Sequence, residues 1–210
     1  MGKKERKLTT AEERRKADFE KTALELMNQG YKRTELTVDE LKVNILVFLI
    51  ALPCTIVALF AFVFIHPDKL VLLSNIELLV CAILLLLLIF LHEFMHGLLF
   101  SFFCQNGIKD IVFGFRWRSL TLYSGCKVPL KKEQLIIVNI IPFIVLGLVP
   151  TIIALRVGSI MLFLLGWGMI FAGSGDIIYV YMLLRYKAKG NDVIFFDAPS
   201  QPGCIVFDRL

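Results

Sequence analysis

The 210-residue chain is 57% hydrophobic with a mean hydropathy of +0.73, which excludes an ordinary soluble domain. Eighteen Phe and long aliphatic runs point to a polytopic membrane protein without a large soluble domain. The net charge of +5 is distributed by membrane side, not as a nucleic-acid patch, and five scattered Cys without a C-x-x-C pair exclude a disulfide framework.

Residues 1–42 are polar, with 11 Lys/Arg against 9 Asp/Glu, so no cleavable signal peptide opens the chain and the first transmembrane helix serves as the insertion signal. Thr10-Ala11-Glu12-Glu13 reads as a capping box opening a helix that Asn28-Gln29-Gly30 stops. Phe19, Ala23, Leu26 and Met27 give that helix a thin apolar face, suited to a membrane surface or to a simply solvated helix. Thr37-Val38-Asp39-Glu40 is a second capping box, opening the next helix.

Four segments long enough to span follow, at about 43–65, 76–103, 135–155 and 160–184. Pro53 kinks the first, and a His66-Pro67-Asp68-Lys69 turn leads to the second. The third holds Asn139, Pro142, Gly147 and Pro150, too many breakers for a plain anchor. A short Arg156-Val157-Gly158-Ser159 turn makes the third and fourth an antiparallel hairpin. In the fourth, Gly166, Gly168, Gly173 and Gly175 allow another backbone to approach closely. Lys and Arg number 21 on one side of this arrangement and 2 on the other, which places both termini in the cytoplasm of a multi-pass cell-membrane protein.

Between the second and third segments, Ile111, Phe113, Phe115 and Trp117 alternate with Val112, Gly114, Arg116 and Arg118, the pattern of a cytoplasmic β-hairpin. In the tail, Val193–Phe196 and Ile205–Phe207 flank a Pro- and Gly-containing turn, a second strand–turn–strand candidate. The expected fold class is therefore an all-α polytopic membrane protein of about four transmembrane helices, with a small cytoplasmic β-hairpin after the second. Its parts are an N-terminal segment (1–42), a membrane-embedded domain (43–184) and a tail (185–210). The five Cys (Cys54, Cys81, Cys104, Cys126, Cys204) read mostly as small apolar fillers.

Within the second segment lies His92-Glu93-Phe94-Met95-His96. Two His four apart on a helix share a face and can grip one metal ion, while the Glu between them is placed to act on water. Three ionisable groups after an unbroken hydrocarbon run are costly unless they share a partner. The plain alternative is a set of polar residues at a helix end, hydrogen-bonded to neighbouring helices.

A catalytic zinc keeps three protein ligands and one open position. His66 falls on the far side, so the third ligand is expected to be a carboxylate, and Asp176 is the sole acid inside the fourth segment. The second and fourth segments run in the same direction. His92 and Asp176 each lie 16 residues in, roughly 24 Å deep at the helical rise. Ser174-Gly175 leaves room for close packing there. Pairing of Asp176 with a Lys, or capping of a neighbouring helix, is the competing role. Asn139, the other polar group in a span, either supports substrate or the site's water or makes an interhelical hydrogen bond.

On these residues the chain resembles the bacterial putative zincin peptidase family, a membrane domain of unknown function. The likeness rests on His92-Glu93-x-x-His96-Gly97, Gly125-Cys126-x-x-Pro129-Leu130, Pro142 with Leu146-Gly147 and Pro150, Ser174-Gly175-Asp176, and Asp197-x-Pro199-Ser200-x-Pro202-Gly203-Cys204. It covers the chain from about Tyr31 onward. More distantly the chain is similar to site-2 intramembrane zinc metalloproteases. That resemblance implies His92, His96 and Asp176 as ligands of Zn2+ and Glu93 as general base. The chain departs from the site-2 pattern in having Ile177, not Gly, after Asp176, and in lacking a Pro beside Asn139; the departure bears on cleavage of transmembrane helices, not on the ligand set.

The expected function is a membrane-embedded zinc peptidase (a hydrolase) that uses a zinc-activated water. Its expected partners are the lipid bilayer and a protein or peptide substrate, membrane-anchored or soluble, with no nucleic acid. Two other readings stand beside it: a non-catalytic zinc-binding membrane scaffold or pseudo-protease, and a small metal conduit. The conduit is disfavoured because only one cluster of ionisable residues is buried.

Overall fold

The computed structural model describes residues 10–38, 40–69, 73–116, 121–190, 192–199 and 203–209. Features expected at Asp39, at 117–120 and at 200–202 lie outside these residues. The longest helix, α3 (Asn75–Phe103), begins where Ser74 and Glu77 cap each other. The Glu77 amide donates to Ser74 Oγ at 3.3 Å and the Ser74 amide to Glu77 Oε2 at 2.8 Å. It follows helix α2 (Glu40–Ile65), which carries Pro53, and a short turn at Pro67–Lys69.

The third apolar segment is helix α4 (Lys132–Pro142), a π-helical turn (Phe143–Leu148) and helix α5 (Val149–Val157). Pro142 and Pro150 cannot donate to the carbonyls four residues before them, and the wider turn falls between the two. Gly158, at φ 70°, ends α5, and Ser159 caps helix α6 (Ile160–Ala172) by accepting from the Leu162 amide at 3.3 Å. The fourth segment is broken: α6 and helix α7 (Ser174–Arg185) meet at Gly173 with a bend of 42°. Among the described residues, three helices are long and apolar enough to cross a membrane, or four if the bent pair is counted as one span. Large apolar side chains along α2 and α3 face outward, among them Phe60 (73% exposed), Phe64 (89%) and Ile76 (75%).

Close helix packing depends on small residues. A Cβ on Gly166 would lie 2.7 Å from the Thr151 backbone nitrogen, so α6 seats against the start of α5 only because that position is bare.

The fold is mostly helical, and the all-α description needs one amendment, because two antiparallel sheets stand beside the helices. Strands β2 (Ile111–Arg116) and β3 (Thr121–Cys126) form the expected hairpin, with Ile111 opposite Cys126. A second sheet has the order β1–β5–β4, from Tyr31–Thr37, Gly203–Arg209 and Asp192–Asp197. Its central strand β5 pairs on both sides, so the N-terminal segment and the tail are hydrogen-bonded to each other.

Helix α1 (Thr10–Asn28) lies on this sheet, burying Phe19 and Ala23 against Tyr31, Phe196, Ile205 and Phe207. Its apolar face thus meets a protein sheet, in place of the membrane surface or solvent expected from the sequence. A second core joins the sheets to the helices through Phe100, Cys126, Leu135, Val138, Leu183 and Val206. Four Cys are buried, Cys54 is exposed, and all five are free thiols.

Candidate metal centre

Helix periodicity sets His92 and His96 on one face of α3, and the α6–α7 break brings Asp176, in the first turn of α7, against them. Asp176 Oδ2 lies 3.0 Å from His92 Nε2 and 3.3 Å from His96 Nε2, and the two Nε2 atoms are 2.9 Å apart. Both imidazoles are buried, at 5% exposure. Gly173 makes this approach possible: a Cβ there would lie 3.2 Å from His92 Cε1.

His96 Nδ1 donates to the Val138 carbonyl at 3.1 Å, because a carbonyl can only accept. The proton therefore sits on Nδ1, and His96 Nε2 presents a lone pair toward His92 and Asp176. His92 Nδ1 is buried without a hydrogen-bond partner. Two imidazole nitrogens and a carboxylate oxygen, all within 4.8 Å of one another, are a donor set that fits zinc.

Glu93 does not join this cluster. Its Oε2 accepts from Ser124 Oγ of β3 at 3.3 Å, which ties the carboxylate to the hairpin. A cavity of about 410 Å3 opens in front of Glu93, His96 and Asp176. Its walls come from α2 (Asn44, Val47), β3 (Tyr123, Ser124), α7 (Tyr179, Met182) and the tail (Asp197, Gly203). Asn139 also lines it, and its Nδ2 donates to the Leu135 carbonyl of its own helix at 2.7 Å.

Three wall residues had not been singled out from the sequence as site residues. Ser124 follows from strand alternation, since it shares a face with Leu122 and Cys126. Tyr179 lies one helical turn beyond Asp176, and its hydroxyl is buried beside the Cys204 thiol. Asp197 reaches the cavity through the fold of the tail and is paired with Arg15 of α1 at 3.0 Å. The wall facing Glu93 is β3.

The family model described as "Putative zincin peptidase" matches residues 85–190, half of the chain, from the apolar run before His92 to just beyond α7. Searches of curated proteins and of solved structures returned no match. With the whole His92–His96–Asp176 cluster inside the matched span, the chain belongs to the putative zincin peptidase family.

Proposed function

We propose that this protein is a membrane-embedded, zinc-dependent peptidase, with His92, His96 and Asp176 holding the metal and Glu93 serving as general base. The observation that carries this reading is the convergence of His92 Nε2, His96 Nε2 and Asp176 Oδ2 beside a carboxylate that stays out of the cluster. When bound, zinc supplies Lewis acidity that polarises a carbonyl and lowers the pKa of water toward neutrality.

Glu93 takes the proton of the attacking water on Oε1 and returns it to the leaving amine. The Ser124 hydroxyl, donating to Glu93 Oε2, keeps the carboxylate aimed into the cavity. The substrate lies extended alongside β3, where a backbone can present its carbonyls; a helix would keep them in its own hydrogen bonds. Cavity residues of α2 and α7 close the other side.

Insertion in a bilayer is supported by the outward-facing Phe, Leu and Ile of α2 and α3, far more apolar surface than a soluble monomer exposes. Both termini on the cytoplasmic side is supported by the Lys/Arg distribution and by the pairing of β1 with β5.

The test is digestion of a mixed peptide library by zinc-loaded protein in detergent, beside Glu93→Gln. Cleavage by the wild type, lost in Glu93→Gln while zinc stays bound, is the expected outcome. Equal cleavage by both would sink the peptidase reading, and zinc binding with no cleavage by either would leave a metal-binding scaffold.

A further inference from the structure

Beside the metal-facing cavity lies a second one of about 240 Å3, walled by α2, α6, α7 and the start of the π-helical turn. Its lining is almost wholly apolar: Val47, Ala51, Phe143, Ile170, Phe171 and Ile177 among others. The one hydroxyl in the wall, Ser174 Oγ, is spent on the Ile170 carbonyl at 2.7 Å, so nothing there rewards a polar guest.

Two contacts bridge α2 and α6 beside the recess. Trp167 Nε1 donates to Thr55 Oγ1 at 2.7 Å, and Thr55 in turn donates to the Ala51 carbonyl at 2.7 Å. At the other edge, Phe48 and Phe171 meet edge to face with centroids 6.4 Å apart. The bend at Gly173 turns α7 away from the line of α6 and leaves the gap between them unfilled.

The recess borders the metal-facing cavity. Val47, Phe171 and Ile178 wall both cavities, and Asp176 is within two residues of both Ser174 and Ile178. A chain lying across Glu93 and His96 would have only the Val47, Phe171 and Ile178 side chains between it and the gap that separates α2 from α6.

We propose that this recess is the specificity subsite of the protein, taking one large aliphatic or aromatic side chain from the substrate residue next to the scissile bond. The inference rests on the peptidase reading and adds to it a substrate class: sequences with a bulky apolar residue at the cleavage point, of the kind found at the ends of membrane segments. The contiguity with the metal-facing cavity favours a side chain of the bound peptide over a lipid tail, and the apolar walls exclude a charged one.

Trp167 stands in the wall as a built-in reporter, and the chain's only other Trp is Trp117. In a Trp117→Phe background, zinc-loaded protein is titrated with the hydroxamates of p-iodophenylalanine and of glycine, which share one metal-seeking group and differ in side chain. Zinc content is measured beforehand. The iodinated compound is expected to quench Trp167 saturably and to bind at least about ten-fold more tightly than the glycine compound. Ala51→Phe, which fills the recess, is expected to abolish both the quench and the preference while leaving zinc content and glycine-hydroxamate affinity unchanged. Equal affinities in zinc-loaded protein, or a preference that survives Ala51→Phe, would overturn the subsite alone. Quenching by brominated lipid tails that the iodinated compound does not displace would make the recess a lipid site and overturn it too. Absence of zinc from the wild-type protein after remetallation would remove the peptidase reading and the subsite together.

Discussion

The Val138 carbonyl that receives the His96 Nδ1 proton at 3.1 Å is the one that Pro142 leaves unused. In an unbroken helix the amide of residue 142 would donate to the carbonyl of residue 138, and proline has no such proton. A helix breaker in α4 thus supplies the acceptor that fixes the tautomer of a proposed ligand on α3.

Pro142→Ala returns a competing amide to Val138 and should weaken zinc binding by about 10- to 100-fold, the usual effect of losing such a supporting contact. Alanine favours the helix, so the fold should survive the change. His92→Ala and Asp176→Ala, which remove proposed ligands outright, should purify without zinc. Chelator competition on the purified variants measures all three, and unchanged affinity in Pro142→Ala would show that the Val138 contact does not orient the ring.

Gly203→Ala should destabilise the β1–β5–β4 sheet by roughly 1–3 kcal/mol, the range for an unfavourable left-sided backbone. Gly203 sits at φ +123°, and an added Cβ would run into the Leu36 carbonyl oxygen across the strand pair. Amide exchange should rise in β1 and β5, whose pairing begins at Thr37–Gly203, more than in α3. Uniform loss of protection across the chain would point to general unfolding, not to this sheet.

Much of this arrangement was legible in the residues. The four apolar segments stand out by length, and the His pair by its helical spacing. The place of Asp176 beside that pair followed from equal depth in two segments of like direction. Other parts carried no local signal. Strand β1, Tyr31-Lys32-Arg33-Thr34-Glu35-Leu36-Thr37, is almost entirely polar, because it is an edge strand whose residues are mostly only half-buried. It is a strand only because β5 offers it a partner some 170 residues away, as in the pairing of Tyr31 with Arg209. The Gly173 break was hidden in an apolar stretch in which four glycines could each have been packing contacts. Ser124 is an ordinary strand residue until the hairpin folds over Glu93.

Arg15 joins α1 to the tail and to the hairpin, donating to Asp197 Oδ2 at 3.0 Å and to the Cys126 carbonyl at 3.5 Å. Both side chains of the ion pair are largely buried, at 11% and 16% exposure. Gly125 makes room for it, since a Cβ at that position would meet both Asp197 and Arg15. Arg15→Ala leaves a carboxylate short of its partner and should loosen α1 by about 1.5–3 kcal/mol, the range for hydrogen bonds to charged groups. Limited trypsin digestion should then cut within 14–21 sooner than in the wild type, and Gly125→Val should reproduce the effect. An unchanged cleavage rate in both would show that the apolar contacts of Phe19 and Ala23 hold α1 without the pair.

The tail also predicts a stability limit on the alkaline side. Burial pushes the Cys204 thiol from 9.0 up to about 12. Burial, with a hydrogen bond donated to Asp208, pushes the Tyr186 phenol from 10.0 up to about 12. Both groups are neutral in the folded protein at pH values where the unfolded chain has begun to ionise. Their contribution is complete below about pH 9 and is lost as the pH rises toward 12, since the unfolded state then sheds protons that the folded state keeps. The melting temperature should therefore fall steadily from pH 8.5 to 11, and the slope should flatten in Cys204→Ala with Tyr186→Phe. At pH 8 the thiolate fraction of Cys204 should be about a thousand-fold below that of an exposed cysteine, from the same displacement of its pKa. Maleimide should label it only after unfolding. Rapid labelling of Cys204 in the native protein, or an alkaline slope identical in the double variant, would show that these groups are not sealed beneath the sheet.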